Sequence, residues 1–148
     1  MKVREALQSD TSEWSRMRTL LWPDTEDNHL SEIADFFAGD SHDIAQTYVV
    51  DNNGKGLVGF IELNIRNFVE GSRNDAVPYI EGWYVDTDYQ AQGLGKKLLE
   101  RAEKWAKDRG FTELASDAEM DNTRSIAIHE HLGFAETYRV VCFLKKIK

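Results

Sequence analysis

The sequence has a single cysteine, Cys142, and only two prolines, Pro23 and Pro78. One thiol cannot close an internal bridge, so the chain is not a disulfide-stapled secreted scaffold, and a reducing cytoplasmic setting is expected. Long apolar runs are missing as well: no stretch of about 18 apolar residues offers a membrane span, and the N-terminus carries no apolar signal core. Positive charge is scarce. Against 26 Asp and Glu stand 18 Lys and Arg, a formal net charge of -8. Such a surface repels phosphodiester backbones and anionic lipid, so neither nucleic acid nor a membrane is an expected partner.

What remains is ordinary globular material: 148 residues, 41% hydrophobic and 30% charged, enough for one domain spanning 1–148. Residues 2–6 read as a short strand. Ser9 or Asp10 can then cap a helix whose apolar positions Trp14, Met17, Leu20 and Leu21 recur at three and four until Pro23 stops it. Leu30, Ile33, Phe36 and Phe37 repeat that spacing within 24–39, a second helix closed by Gly39. Strands over 47–50 and 56–66 flank Asp51-Asn52-Asn53-Gly54, whose Asn-Gly pair tolerates positive φ. An exposed loop over 67–77 leads to a strand over 78–86. Leu94, Leu98, Leu99, Ala102, Trp105 and Ala106 form one stripe of a helix over 93–109, ended by Gly110. A short strand over 112–116, a helix over 122–132 and a last strand over 136–144 complete a mixed α/β pattern, β-α-α-β-β-β-α-β-α-β.

The chemistry concentrates where a strand ending near Asp86 gives way to a helix beginning near Gly93. Two glycines there, Gly93 and Gly95, allow close backbone approach, the unpaired N–H groups of the first helical turn favour an anion, and Lys96 adds charge. Two other phosphate signatures fail on spacing. A dinucleotide fold wants a third glycine where Lys96-Lys97-Leu98 stand, and a Walker loop wants Ser or Thr where Lys97 stands.

The run Gln90-Ala91-Gln92-Gly93-Leu94-Gly95 resembles the Gln/Arg-x-x-Gly-x-Gly/Ala signature of the GNAT superfamily of N-acetyltransferases. Asn122, Ala127 and Leu132-Gly133-Phe134 look like that superfamily's second cofactor-facing segment, so the resemblance covers the whole chain. It implies a mostly antiparallel sheet splayed at the cofactor site with flanking helices, and acetyl-CoA as co-substrate without a metal. Backbone groups of Trp83, Tyr84 and Val85 would pair with the pantetheine arm, the turn Gln90, Ala91, Gln92, Gly93, Leu94, Gly95 and Lys96 would hold the pyrophosphate, and Asn122 would bond the arm from the other side. Where many members carry a tyrosine four residues before the Gly-Phe pair, to protonate the leaving thiolate, this chain has His129, read here as structural.

Within that superfamily the chain is similar to the aminoglycoside 6'-N-acetyltransferases, through Leu20-Leu21-Trp22-Pro23, Ile80-Glu81-Gly82, Leu114-Ala115-Ser116-Asp117 and Gly133-Phe134-Ala135-Glu136-Thr137. The similarity implies an aminoglycoside lying on Trp22 with Phe68, its ammonium groups read by Glu81 and Asp117, with Tyr138 at the cleft edge. It also implies a homodimer, in which the long last strand would find cover. Glu81 is the expected proton acceptor, through water, and a strand N–H near Val85 the expected donor to the thioester oxygen. Plainer uses stay open: Trp22 can end a helix in the core, Asp117 can cap the helix after it, and Glu81 can be a satisfied strand carboxylate. The same cofactor site would also serve an acetyltransferase for a protein N-terminus or lysine, or a sensor that binds acyl-CoA without turnover.

Two further patterns are set aside. His129 and His131 lie two apart on a helix and point to different faces, so they do not form a metal pair. Cys142, between Val141 and Phe143, is read as a buried structural thiol.

Overall fold

Strands and helices fall in the order that patterning predicts up to residue 110. In the computed structural model, which describes residues 1–24 and 28–148, the elements are β1 (Lys2–Glu5), α1 (Thr11–Leu21), α2 (His29–Ala38), β2 (Gln46–Asp51), β3 (Leu57–Arg66), β4 (Val77–Val85), α3 (Leu94–Asp108) and α4 (Thr123–His131). The strands lie side by side in sequence order, each antiparallel to the next. The β2–β3 hairpin turns through Asn53 at φ 53° and Gly54 at φ 83°, the left-handed region that an Asn-Gly pair enters at least cost.

Helices cover both faces. On one side α3 lays its stripe of Leu94, Leu98, Leu99, Ala102, Trp105 and Ala106 against Tyr48, Val50, Val58, Ile61, Leu63 and Ile80. On the other, Trp14 and Met17 of α1 and Ile33 of α2 pack on Val49, Leu57 and Phe60. Each buried aliphatic or aromatic side chain removed from water contributes about 1.5–3 kcal/mol, so these two layers carry most of the stabilisation. Leu20 and Leu30, expected inside, are more than half exposed, because each sits on the outer edge of its helix stripe.

Three expectations fail locally. Asp10 stands at the start of α1 but does not cap it: its carboxylate accepts from the Leu7 N–H at 2.7 Å and from Arg4. The second helix begins at His29 rather than Asp24, and residues 25–27 of the predicted span lie outside the described residues. The predicted strand over 112–116 is one parallel bridge, Tyr79 to Ala115, because β4 and this segment diverge just beyond it.

The last expected strand, 136–144, does not form either. Residues 134–148 carry no strand pairing, and Val141, Phe143 and Leu144 are 73%, 90% and 93% exposed. A strand needs a partner ladder, and the described residues of this chain provide none along the segment. Cys142 is exposed with it, which corrects its reading as a buried thiol. Among the described residues the buried set ends at Ala106, and no helix is long and apolar enough to cross a membrane.

Candidate active site

The turn after β4 is shaped by a few backbone choices. Gly93 takes φ 79° at the cap of α3, and a Cβ placed there would meet nothing within 4 Å, so conformation and not crowding demands the glycine. The first intrahelical donor is the Lys97 N–H, bonded to Gly93 O at 3.0 Å. The N–H groups of Leu94, Gly95 and Lys96 ahead of it have no acceptor within the helix and stand at its positive end. Lys96 and Lys97 are exposed beside them.

Side chains brace this turn from behind. Gln90 donates from Nε2 to Val85 O at 3.0 Å and accepts from the Arg124 guanidinium at 2.6 Å, tying the turn to the end of β4 and to α4. Trp83 Nε1 donates to Gly95 O at 3.1 Å. Ala91 also takes a positive φ, 62°. Sequence reasoning named Gln90 but missed Arg124, which reaches the turn only because α4 packs back toward it.

Beside the turn, β4 has a free edge. Its bridge to the next segment stops at Tyr79 and Ile80, where Ile80 N–H donates to Ala115 O and Ala115 N–H to Pro78 O. Beyond that point Asp86 N–H bonds Val58 O on β3. By the two-residue alternation of a strand, the backbone groups of Trp83 and Val85 therefore face the open side, as the Gln90 bond to Val85 O confirms. The expected Trp83, Tyr84 and Val85 set is thus split, with the backbone N–H of Tyr84 turned toward β3. Asn122 caps α4, its Oδ1 accepting from Ser125 N–H at 3.1 Å.

His129 closes the same end. Its Nδ1–H donates to Ser125 O at 2.7 Å, which leaves Nε2 to accept from the Ser116 hydroxyl at 2.7 Å. The ring lies edge-on to Trp83 and Phe134. Both ring nitrogens are hydrogen-bonded. Among the described residues no group of three or more His, Cys, Asp or Glu side chains could hold a metal.

On the opposite face of the sheet lies a cavity of about 460 Å³, lined among others by Trp22, Glu62, Asn64, Arg66 and Glu81. Alternation along β3 builds its floor: Phe60 packs under the helices, and Glu62, Asn64 and Arg66 follow on the same face toward the rim. A bulge supplies the rest. Glu62 pairs with Gly82 and Leu63 with Ile80, so Glu81 is the extra residue, and it turns toward the β3 side chains. Trp22 lies directly on Gly82, where a Cβ would come within 2.8 Å of its ring. The expected pair of Trp22 and Glu81 is therefore brought together.

The cavity is acidic. Its lining holds the carboxylates of Glu32, Asp35, Asp40, Asp43, Glu62 and Glu81 against the guanidiniums of Arg18 and Arg66, a surplus suited to a polycation. Glu62 is 1% exposed, and burial pushes its carboxyl up to about 7, opposed by Arg18 and by the 2.8 Å bond from Trp14 Nε1. Arg18, itself buried, spans Glu62 at 2.9 Å and Glu32 at 2.6 Å and lies over the Trp22 ring. Sequence reasoning missed this pair, although a glutamate amid Phe60-Ile61 and Leu63 was a signal available to it.

Asp117 does not line the cavity. It accepts from the Tyr79 hydroxyl at 2.5 Å, so it is neither a helix cap nor a free carboxylate. Arg66 lies on the Tyr79 ring and pairs with Glu81, which connects the two expected carboxylates through residues that sequence reasoning did not name. Burial and the Asp117 charge both push the Tyr79 phenol up, so it stays a neutral donor. Phe68 and Tyr138 are 71% and 62% exposed and line no part of the cavity.

Comparison with known proteins bears on these features. A family model described as the Acetyltransferase (GNAT) family matches residues 14–134. The aminoglycoside N(6')-acetyltransferase type 1 of Klebsiella aerogenes is 41% identical over 147 residues, covering 98% of this chain and 96% of its own. Among solved structures, the aminoglycoside antibiotic 6'-N-acetyltransferase AAC(6')-Ih of Acinetobacter baumannii superposes with a TM-score of 0.87 at 36% identity, 99% of each chain being covered. AAC(6')-Iy, in complex with the bisubstrate analogue CoA-S-monomethyl-acetylneamine, gives a TM-score of 0.86 at 28% identity, over 99% of this chain and 98% of that one.

Proposed function

This chain belongs to the GNAT acetyltransferase family, and from that premise we propose that it transfers the acetyl group of acetyl-CoA to the 6'-amino group of aminoglycosides, and so confers resistance to them. The observation that carries the reading is the pairing of an anion-holding turn at Gly93 with a carboxylate-lined cavity across β4. One suits the pyrophosphate of the cofactor. The other suits an amino sugar with several positive charges.

The residues divide the work accordingly. The N–H groups of Leu94, Gly95 and Lys96, with the Lys96 and Arg124 charges nearby, hold the pyrophosphate. The Trp83 and Val85 backbone groups on the free edge of β4 take the pantetheine arm, with Asn122 facing them. The thioester carbonyl is polarised by a strand N–H near Val85. Trp22 supports the sugar face, Glu81 reads an ammonium group within the cavity, and Asp117, held on Tyr79, reads another beyond its rim. Glu81, through water, takes the proton that the 6'-ammonium must lose. The freed amine attacks the thioester carbon, the C–N bond forms, the C–S bond breaks, and the departing thiolate takes up a proton.

We also infer that the chain works in the cytoplasm as one domain and assembles as a homodimer. The exposed apolar run from Tyr138 to Leu144 supports dimerisation, since an uncovered segment of that composition costs solubility. Light scattering at micromolar concentration reads the assembly directly, and a mass of 17.0 kDa would exclude it.

Thiol release from acetyl-CoA, measured with aminoglycosides, linear polyamines and peptides side by side, tests the function. Aminoglycosides should be turned over with kcat/KM at least about 100-fold above any peptide. Preference for a peptide would favour the protein acetyltransferase, and binding without turnover of any amine would favour the sensor.

A further inference from the structure

The cavity holds two guanidiniums, and they are fixed in opposite ways. Arg18 is 7% exposed and wedged between Glu62 and Glu32 under Trp22. It is part of the core. Arg66 is 40% exposed and sits on the last residue of β3, at the rim, with a long flexible stem. Among the described residues its head is held by two features: a two-pronged pair with Glu81, through Nε at 3.0 Å and NH2 at 2.6 Å, and the face of the Tyr79 ring at 3.5 Å. A side chain so exposed can leave without disturbing the core.

The partners of Arg66 are those a substrate ammonium would seek: a carboxylate, an aromatic face, and the Asp117 charge one hydrogen bond farther on. Asn64 Nδ2, at 3.0 Å from Glu81 Oε2, keeps the carboxylate oriented whether or not the arginine is there. We propose that Arg66 is a resident cation occupying the place of a substrate ammonium, which the substrate must displace, and that it thereby sets the threshold of attraction that an amine must exceed to enter the cavity. This rests on the reading of the cavity as the aminoglycoside site.

The threshold follows from competition. A guest with one ammonium exchanges one ion pair at Glu81 for another and gains little. A guest with several amines displaces Arg66 and also meets Glu32, Asp35 or Asp43, which Arg66 cannot satisfy. The arginine therefore raises the threshold for all amines, and only a polycation has further contacts with which to exceed it.

The test is the sign of the change. In Arg66→Met, which keeps the stem and removes the charge, kcat/KM should rise at least about tenfold for both the monoamine 6-amino-6-deoxyglucose and the polyamine neamine, because each is freed of the same competitor. Arg66→Lys, which keeps the charge but loses the fork, should fall between wild type and Arg66→Met. An equal drop for both amines in Arg66→Met would overturn the proposal, since it would mean that Arg66 only orients Glu81. So would an Arg66→Lys enzyme indistinguishable from Arg66→Met. Failure of the wild-type enzyme to acetylate neamine at all would instead fall on the aminoglycoside reading.

Discussion

The turn after β4 and the cavity under Trp22 flank the same strand and face opposite electrical tasks, and they are made of different materials. The turn offers an anion backbone N–H groups fixed by one left-handed glycine, and its few side-chain bonds brace it from outside. The cavity offers a cation side chains alone, drawn in part from α1, α2, β3 and β4, several of them held by one another. A backbone site is local and fails all at once. A side-chain site is distributed, and its parts fail by degrees.

Gly93→Val should show the first half of that contrast with the largest effect. Valine at φ 79° is strained although nothing crowds its Cβ, so the turn must change shape while the core stays intact. Calorimetry should find acetyl-CoA affinity reduced at least about 100-fold in a protein of near-native Tm, with aminoglycoside binding preserved. Unchanged cofactor affinity in the folded variant would remove the basis of the site assignment.

Glu81→Gln comes next. If Glu81 takes the proton, kcat should fall about 100-fold and the acid limb of the pH–rate profile should flatten. A retained kcat with the same profile would make Glu81 a binding carboxylate only. Asp117→Asn should be milder and of another kind, raising KM by about 10- to 100-fold with kcat nearly kept, because it removes one charge-assisted contact on the order of 1.5–3 kcal/mol. Raising salt should weaken the amine and leave acetyl-CoA less affected, which separates the two halves of the site in one titration.

The smallest expected effect is on stability. The Glu62 carboxyl is pushed from the ordinary 4.5 to about 7 by burial, so the folded chain holds this proton more tightly than the unfolded chain does. Its contribution is full below pH 4.5 and is lost as pH rises through about 7. Glu62→Gln stays neutral throughout. Its Tm relative to wild type should therefore climb between pH 5 and 8, by the equivalent of about 3 kcal/mol at most. A pH-independent difference would show that Arg18 keeps Glu62 charged across the range.

The same contrast explains what patterning could reveal. The order of elements to residue 110, the α3 stripe and the Gly93 turn follow from local rules of period, capping and left-handed φ, so they are legible residue by residue. The cavity is not local. Glu62, Arg66 and Tyr79 acquire their roles from strand register and from a bulge that turns Glu81 toward them, and register is a relation between segments. The resemblance to known acetyltransferases named Trp22, Glu81 and Asp117, but not the arginine and tyrosine that join them. The strands expected over 112–116 and 136–144 failed for a related reason: β propensity is present in both, yet a strand is defined by its neighbour.

The early end of the buried core, at Ala106, has a consequence for how the protein is made. Translation proceeds at about 5–20 residues per second, so the roughly 40 residues that follow take seconds to synthesise. A mixed α/β unit with mostly neighbouring strand pairs folds in milliseconds to seconds. The sheet and its two helical layers can therefore be in place while the C-terminal run is still within the ribosome, and that exposed apolar segment emerges onto a body already folded.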